Sequence, residues 1–305
     1  MVRKLLRQLR RWFLIQCAPD EAVEHILELL LRVKSREESA VNDPESLGSL
    51  IRLYAHAVEK ACFAAHCDQK RGHQRAEYLR HLLTRPGATF VDSETIQWAV
   101  QLLEIFDARG SRSETELGSL RVGDTCPNEF AALIRILSSR RSVRDFQEKT
   151  IPRDIIIRAA ECASLAPTSC NRQAIRFFIT LDPCVAREAH NLCSGRSGFS
   201  DFIPGFTAVC SDSNAYSMPQ EYNTLFVDGA LCALLFLLGC HTQGVGATLM
   251  AWTTGRKEEE AQLKRILKIP PNYEPVVMCA FGFPARQWPN TVRKPIDRWL
   301  SFVSQ

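Results

Sequence analysis

The sequence has no regular cysteine framework. Twelve cysteines are scattered through 305 residues without paired Cys-x-x-Cys spacing, and Cys162, Cys232 and Cys279 sit inside apolar helical or strand-like runs. That pattern argues against a disulfide-stapled scaffold and fits reduced, buried thiols in a cytosolic (cytoplasmic) protein. No apolar run reaches the ~20 residues a bilayer span needs. The greasiest, Gly229 to Cys240, is a dozen residues long. Between Pro19 and Arg109 no internal repeat is seen. The net charge of +4 is too mild to argue for a nucleic-acid partner. A lone Gly-x-Gly, Gly244 to Gly246, does not open a dinucleotide-binding helix. The first residues lack a small-residue cleavage site and are interrupted by arginine, against a secretory signal.

What is present is ordinary globular material, 46% hydrophobic and 24% charged, enough to bury a sizeable core. The length allows two domains. Residues 3–16 place Leu5, Leu6, Leu9, Trp12 and Phe13 on one helical face and Arg3, Lys4, Arg7, Arg10 and Arg11 on the other. Such a basic amphipathic helix docks on the protein's own core or makes weak contact with an anionic membrane surface. From Pro19 to Arg109 the apolar residues keep three- and four-residue spacing, which predicts a bundle of four or five helices. Asp92 and Ser93 suit a helix start there. Cys62, His66, Cys67 and His73, with His81 beyond, are zinc-type ligands at a poor zinc spacing, so no metal site is assigned. Residues 111–126, rich in Gly, Ser and charge, read as a linker. The expected organisation is a helical domain over 1–110, the linker, and a second domain over 127–305.

The second domain is organised around Ser138 to Asp182. Arg140, Arg141 and Arg144 crowd around Ser142. A helix is expected over about Pro152 to Ser164, then a polar loop, Ala166 to Gln173, then a strand over Ala174 to Leu181. Three guanidiniums this close form either a solvated basic patch or a fork of donors for a phosphate. The loop offers amide, hydroxyl and backbone donors that suit the edge of a flat polar ring. Further on, Val185 to Gly195 reads as a helix and Phe206 to Cys210 as a strand. Tyr222 to Cys240, apolar nearly all round, reads as a fully buried helix. Gly244 to Trp252 reads as a core strand entering a loop and Val276 to Phe283 as a buried strand, with a charged helix, Glu258 to Leu267, between them.

The run RRSVRDF, a helix, then APTSCNRQ and an apolar strand resemble the opening of the FMN-dependent nitroreductase family. Gly282-Phe283-Pro284 and Arg293-x-Pro295 resemble its closing motifs. The resemblance covers residues 127–305. It implies an α+β fold, a nitroreductase-like mixed sheet flanked by helices, beside the all-helical N-terminal domain. It further implies a homodimer with FMN at the subunit interface and the Tyr222 helix at its centre. By the same resemblance Arg140, Ser142 and Arg293 hold the FMN phosphate, with Arg141 beside them and Arg144 near N1 and O2 of the ring. Pro167, Thr168, Ser169 and Asn171 come from the partner subunit to the ring edge. Leu249, Met250, Ala251 and Trp252 match a backbone turn facing N5.

The implied activity passes hydride from NAD(P)H through flavin N5 to a small nitro, quinone or similar acceptor, with no catalytic side chain of its own. Gln173-Ala174-Ile175 replaces the family's Gln-Pro-(Trp/Phe), and the segment that roofs larger members is short. The resemblance therefore speaks more to the cofactor than to the substrate. Two alternatives are specialised flavin chemistry on a substrate recognised by the helical domain, and a non-catalytic flavin-fold module.

Overall fold

The computed structural model describes residues 40–63, 69–108, 127–216, 221, 223–252, 257–289 and 291–303. The basic helix expected at residues 3–16 and the linker at 111–126 lie outside these, as do His66 and Cys67. Of the expected helical bundle, three helices are described: α1 Pro44–Phe63, α2 Gln69–Leu83 and α3 Ser93–Asp107. Asp92 caps α3 by accepting from the Thr95 N–H at 2.8 Å. Leu47, Ile51, Val58, Leu79, Leu82, Leu102 and Phe106 interlock as a core of their own. His73 stacks edge-on against Phe106 in that unit.

The second unit holds α4 Pro127–Ser139, α5 Arg153–Ser164, β1 Ile175–Thr180, α6 Pro183–Asn191, β2 Gly205–Asp212, α7 Thr224–Thr242, β3 Gly246–Ala251, α8 Lys257–Leu267 and β4 Tyr273–Gly282. The sheet order is β1-β2-β4-β3. The fold is α+β, but all three strand pairings are antiparallel. Among the described residues the expected mixed character is confined to one parallel bridge, Ser142 to Ala247. Between Val209 and Cys210 the register slips by one residue, opposite Pro275. Proline has no N–H to give the ladder, so the sheet absorbs it as a bulge.

Alternation along β4 sorts the two faces. Met278 and Ala280 join the core under α6 and α8, while Cys279 and Phe281 join the core under α5 and α7. Helices on both sides explain why β4 reads as one continuous apolar run. Local chemistry sets the helix ends. Asp182 caps α6 through the Cys184 N–H at 2.8 Å, with Pro183 fixing φ in the first turn. In α8 three glutamates fill the first turn and Lys264 and Arg265 the last, as the helix dipole favours.

The helix expected to be fully buried is not. It runs Thr224–Thr242, long and apolar enough by composition to cross a membrane. It packs one side on the sheet and leaves Val227, Leu231 and Leu234 exposed. The dozen-residue run seen in the sequence is only its middle. Helix α4 is almost wholly exposed, with Phe130, Leu133, Ile134 and Leu137 along one stripe.

His190 stands out among the buried polar groups. It is 4% exposed, and neither ring nitrogen has a hydrogen-bond partner. Phe199 meets its ring edge-on at 4.6 Å. Burial, with Arg187 and then Arg196 nearby, lowers its pKa from 6.5 to about 4. The folded state thus favours the neutral ring. Its contribution is complete above pH 6.5 and is lost as pH falls toward 4. Denaturant titrations should show up to about 3 kcal/mol of acid destabilisation from this group, and His190→Leu should flatten that limb. Equal acid limbs in the two proteins would assign the loss elsewhere.

Candidate active site

The arginine run begins where α4 ends. Arg140 still donates its N–H to the Ile136 carbonyl, at 3.2 Å. The chain then straps the edge of the sheet. The Val143 N–H donates to the Ala247 carbonyl at 3.4 Å, and the Thr248 hydroxyl donates to the Val143 carbonyl at 2.7 Å. Gly246 makes this approach possible, since a Cβ there would sit 2.5 Å from the Val143 side chain. Further along, the Gln147 N–H donates to the Phe283 carbonyl at 2.8 Å, and Asp145 pairs with Arg286 at 3.1 Å. The strap is thereby pinned to both the edge strand and the segment that leaves β4.

Arg141 closes the arrangement. Its guanidinium donates to the Ser138 and Arg140 carbonyls at 2.7 Å each and to the Pro289 carbonyl at 3.1 Å. The residue therefore clasps the C-terminal segment to the strap. Arg293 lies on that segment and donates to the Thr291 hydroxyl at 2.9 Å. Arg140 and Arg293 are close enough to repel. Burial, then the charges of Arg293 and Arg141, lower the Arg140 pKa. Among the described residues no carboxylate pairs with Arg140, Arg141 or Arg293. Two regions far apart in the chain thus bring like charges together, an arrangement an anion would relieve.

Beside the cluster lies a cavity of about 610 Å³ lined by Arg140, Arg141, His241, Gly246, Arg286 and Trp288, among others. The Trp288 indole N–H is buried without a partner. The Ser139 hydroxyl and His241 Nε2 lie 2.8 Å apart at its rim. Ser142 sits half-buried in the strap, at its parallel bridge to Ala247. Arg144 lies 5.9 Å from the centre of the Phe199 ring.

The ring-edge loop lies elsewhere in the protomer. Pro167 is exposed, and Thr168, Ser169 and Asn171 are half-buried. Thr168 lines a separate cavity of about 160 Å³ with Ala163, Phe177 and Cys232. The loop and the arginines do not share a cleft within one chain. Leu249, Met250 and Ala251 are paired strand residues, opposite Cys279, Met278 and Val277. The expected turn is not at these positions, because the ladder with β4 runs on through Ala251. Trp252 follows, 8% exposed in the core beside Met250.

Sequence reading missed several participants. Arg172, in the middle of the loop, is 1% exposed and paired with Glu221. Asp228 accepts the Ser169 N–H and the Tyr216 hydroxyl. Burial pushes this carboxyl up, against the pull of those two donors. Arg286 and Trp288, which line the large cavity, carried no motif. The only signal for Asp228 was one acid in an otherwise apolar helix.

The model of the nitroreductase family matches residues 137–195 and 190–283. A protein from Archaeoglobus fulgidus with the provisional name NADH dehydrogenase/NAD(P)H nitroreductase is 25% identical over 154 residues, 50% of this chain and 84% of its own length. One of the same provisional name from Methanothermobacter thermautotrophicus is 22% identical over 155 residues, 50% of this chain and 78% of its own length. A nitroreductase-like protein from Streptococcus mutans superposes with a TM-score of 0.50 at 19% identity, covering 57% of this chain and 100% of its own. That likeness concerns the fold.

The neighbour of the cations offers a direct test. Burial, then Arg140 and Arg141, lower the His241 pKa. A phosphate-type anion held by those guanidiniums removes part of the repulsion, so saturating inorganic phosphate should raise the His241 pKa in an NMR titration. An unmoved titration curve with phosphate bound would place the anion away from this cavity.

Proposed function

With its C-terminal part identified as a nitroreductase-family domain, we propose that this chain is an FMN-dependent oxidoreductase that takes reducing equivalents from NAD(P)H to a small organic acceptor. The observation that carries the reading is the convergence of Arg140 and Arg293 without an acidic partner among the described residues. A phosphate monoester is the dianion two such forks suit. The unpartnered Trp288 N–H is a further donor beside the same cavity.

Bound FMN would supply the hydride relay between reduced nicotinamide and the acceptor. The chain's own residues bind and orient. Arg140, Ser142 and Arg293 would hold the phosphate. Arg141 serves them from behind, its donors already committed to main-chain carbonyls. Arg144 is the cation for the polar edge of the ring, where added electrons concentrate negative charge. Pro167, Thr168, Ser169 and Asn171 would complete the ring's surroundings from a second copy, with β3 and Trp252 behind.

Unpartnered apolar stripes support that second copy. Val227, Leu231 and Leu234 on α7, Ile157 on α5, and Phe130, Leu133, Ile134 and Leu137 on α4 are all exposed in one protomer. A homodimer through these faces would cover them and bring the loop of one chain toward the arginines of the other. The free cysteines among the described residues fit a reducing compartment.

A second reading, specialised flavin chemistry on a substrate recognised by the helical unit, is favoured by where that unit docks. Its α1 helix lies against the loop assigned to the ring, with Arg52 bonded to the Arg172 carbonyl.

Purified protein should be yellow and bleach under anaerobic NADH or NADPH. A yellow protein that neither nicotinamide bleaches would favour the second reading. A preparation that stays colourless in excess FMN would remove both. Arg140→Ala should weaken FMN binding by roughly 1.5–3 kcal/mol, the range for a charged hydrogen bond. An unchanged affinity in a fluorescence titration would take Arg140 out of the site.

A further inference from the structure

The ring-edge loop is held in a conformation its own residues disfavour. Cys170, Asn171 and Gln173 have φ of 51°, 54° and 52°, left-handed values at three non-glycine positions within four residues. Such residues persist where the surroundings over-determine them. Bonds inside the loop do part of this. The Asn171 N–H donates to the Thr168 carbonyl at 3.0 Å, and the Gln173 N–H donates to the Thr168 hydroxyl at 3.0 Å.

Beneath the loop, Asp228 accepts the Ser169 N–H, at 3.0 Å to its nearer oxygen. The buried Arg172 guanidinium donates to the Ser169 hydroxyl at 3.1 Å and to Glu221, and lies 5.2 Å from the centre of the Tyr216 ring. The remaining hold comes from outside the domain. Arg52 Nε on α1 donates to the Arg172 carbonyl at 3.0 Å. Arg52 is itself fixed by Thr95 at 3.0 Å and Asp92 at 3.2 Å, both at the start of α3. Two further polar contacts of the helical unit, Ser46 with Asp212 and Glu45 with Arg176, fall at the strands beyond the loop.

We propose that Arg52 and Arg172 are positioning residues through which the helical unit fixes the 168–173 loop, so that the unit sets the surroundings of the flavin ring. What the loop touches rests on the flavin reading above. The clamp itself does not, and the two parts fail separately. In a homodimer the helical unit of one copy would tune the ring bound by the other. This gives the helical unit a role independent of substrate recognition.

The test uses the full chain, as Arg52→Ala, Arg52→Lys and Ser46→Ala. In cofactor-free protein, hydrogen exchange over 168–173 should quicken about ten- to a hundredfold in Arg52→Ala while β4 stays protected. Arg52→Lys, which keeps one donor, should recover part of the protection. Ser46→Ala, which loosens the seam elsewhere, should leave the loop as it is. In loaded protein Arg52→Ala should shift the flavin absorbance bands and the midpoint potential with little change in FMN affinity. Unchanged loop exchange would overturn the clamp, and so would an equal effect of Ser46→Ala. A loosened loop with a wild-type flavin spectrum, where Asn171→Ala does shift the spectrum, would overturn the coupling and spare the flavin reading. Silence from both variants would overturn the coupling together with the loop's place at the ring, leaving only the clamp seen in cofactor-free protein.

Discussion

One close approach governs the C-terminal unit. The strap carrying Ser142 and Val143 lies against β3 at a point where Gly246 has no room for a Cβ. The arginine run is positioned by that contact. Arg140 and Arg141 are delivered to the end of α4, and Arg144 is placed on the far side of Val143. Arg141 then spends its donors on three carbonyls, one of them Pro289. The bond to Pro289 is the one that ties the C-terminal segment to the strap. The fold keeps cations together, and after burial it is the charges of Arg293 and Arg141 that lower the Arg140 pKa.

The two units meet through a polar seam. Each has its own apolar core, and the contacts between them include a serine–carboxylate bond, an arginine–carbonyl bond and a long ion pair. Seams of this type specify a geometry more than they add stability. The burial that pushes the Asp212 carboxyl up is partly offset by the Ser46 hydroxyl, the Asn214 N–H and the Asn272 amide. The helical unit thus satisfies a group the other unit buries.

Much of this was legible in the sequence because it is local. The helix at 153–164, the cap at Asp92 and the four strands follow from spacing and cap chemistry, to within a few residues. The family motifs likewise lie within short stretches. What escaped is non-local. Nothing near Arg141 announces that Pro289 will supply a carbonyl, and nothing near Arg172 announces Arg52. The sequence of Tyr222 to Cys240 predicts full burial because composition reports greasiness and not which side finds a neighbour. The Leu249 to Trp252 stretch was read as a turn because a motif carries position, whereas the ladder with β4 decides where a strand stops.

That greasy helix raises a question its composition cannot answer. A cylinder apolar on all sides has no preferred angle about its own axis. Asp228 supplies the missing choice. Held by the Ser169 N–H and the Tyr216 hydroxyl, it acts as a key in a slot. Turning α7 by one residue, about 100°, would take the carboxylate away from both donors. Gly229 against Val276 and Gly239 against Ala159, each without room for a Cβ, fix the same azimuth, which turns Val227, Leu231 and Leu234 outward. A polar bond and two close glycine contacts inside the protein together select which oily surface the protein shows.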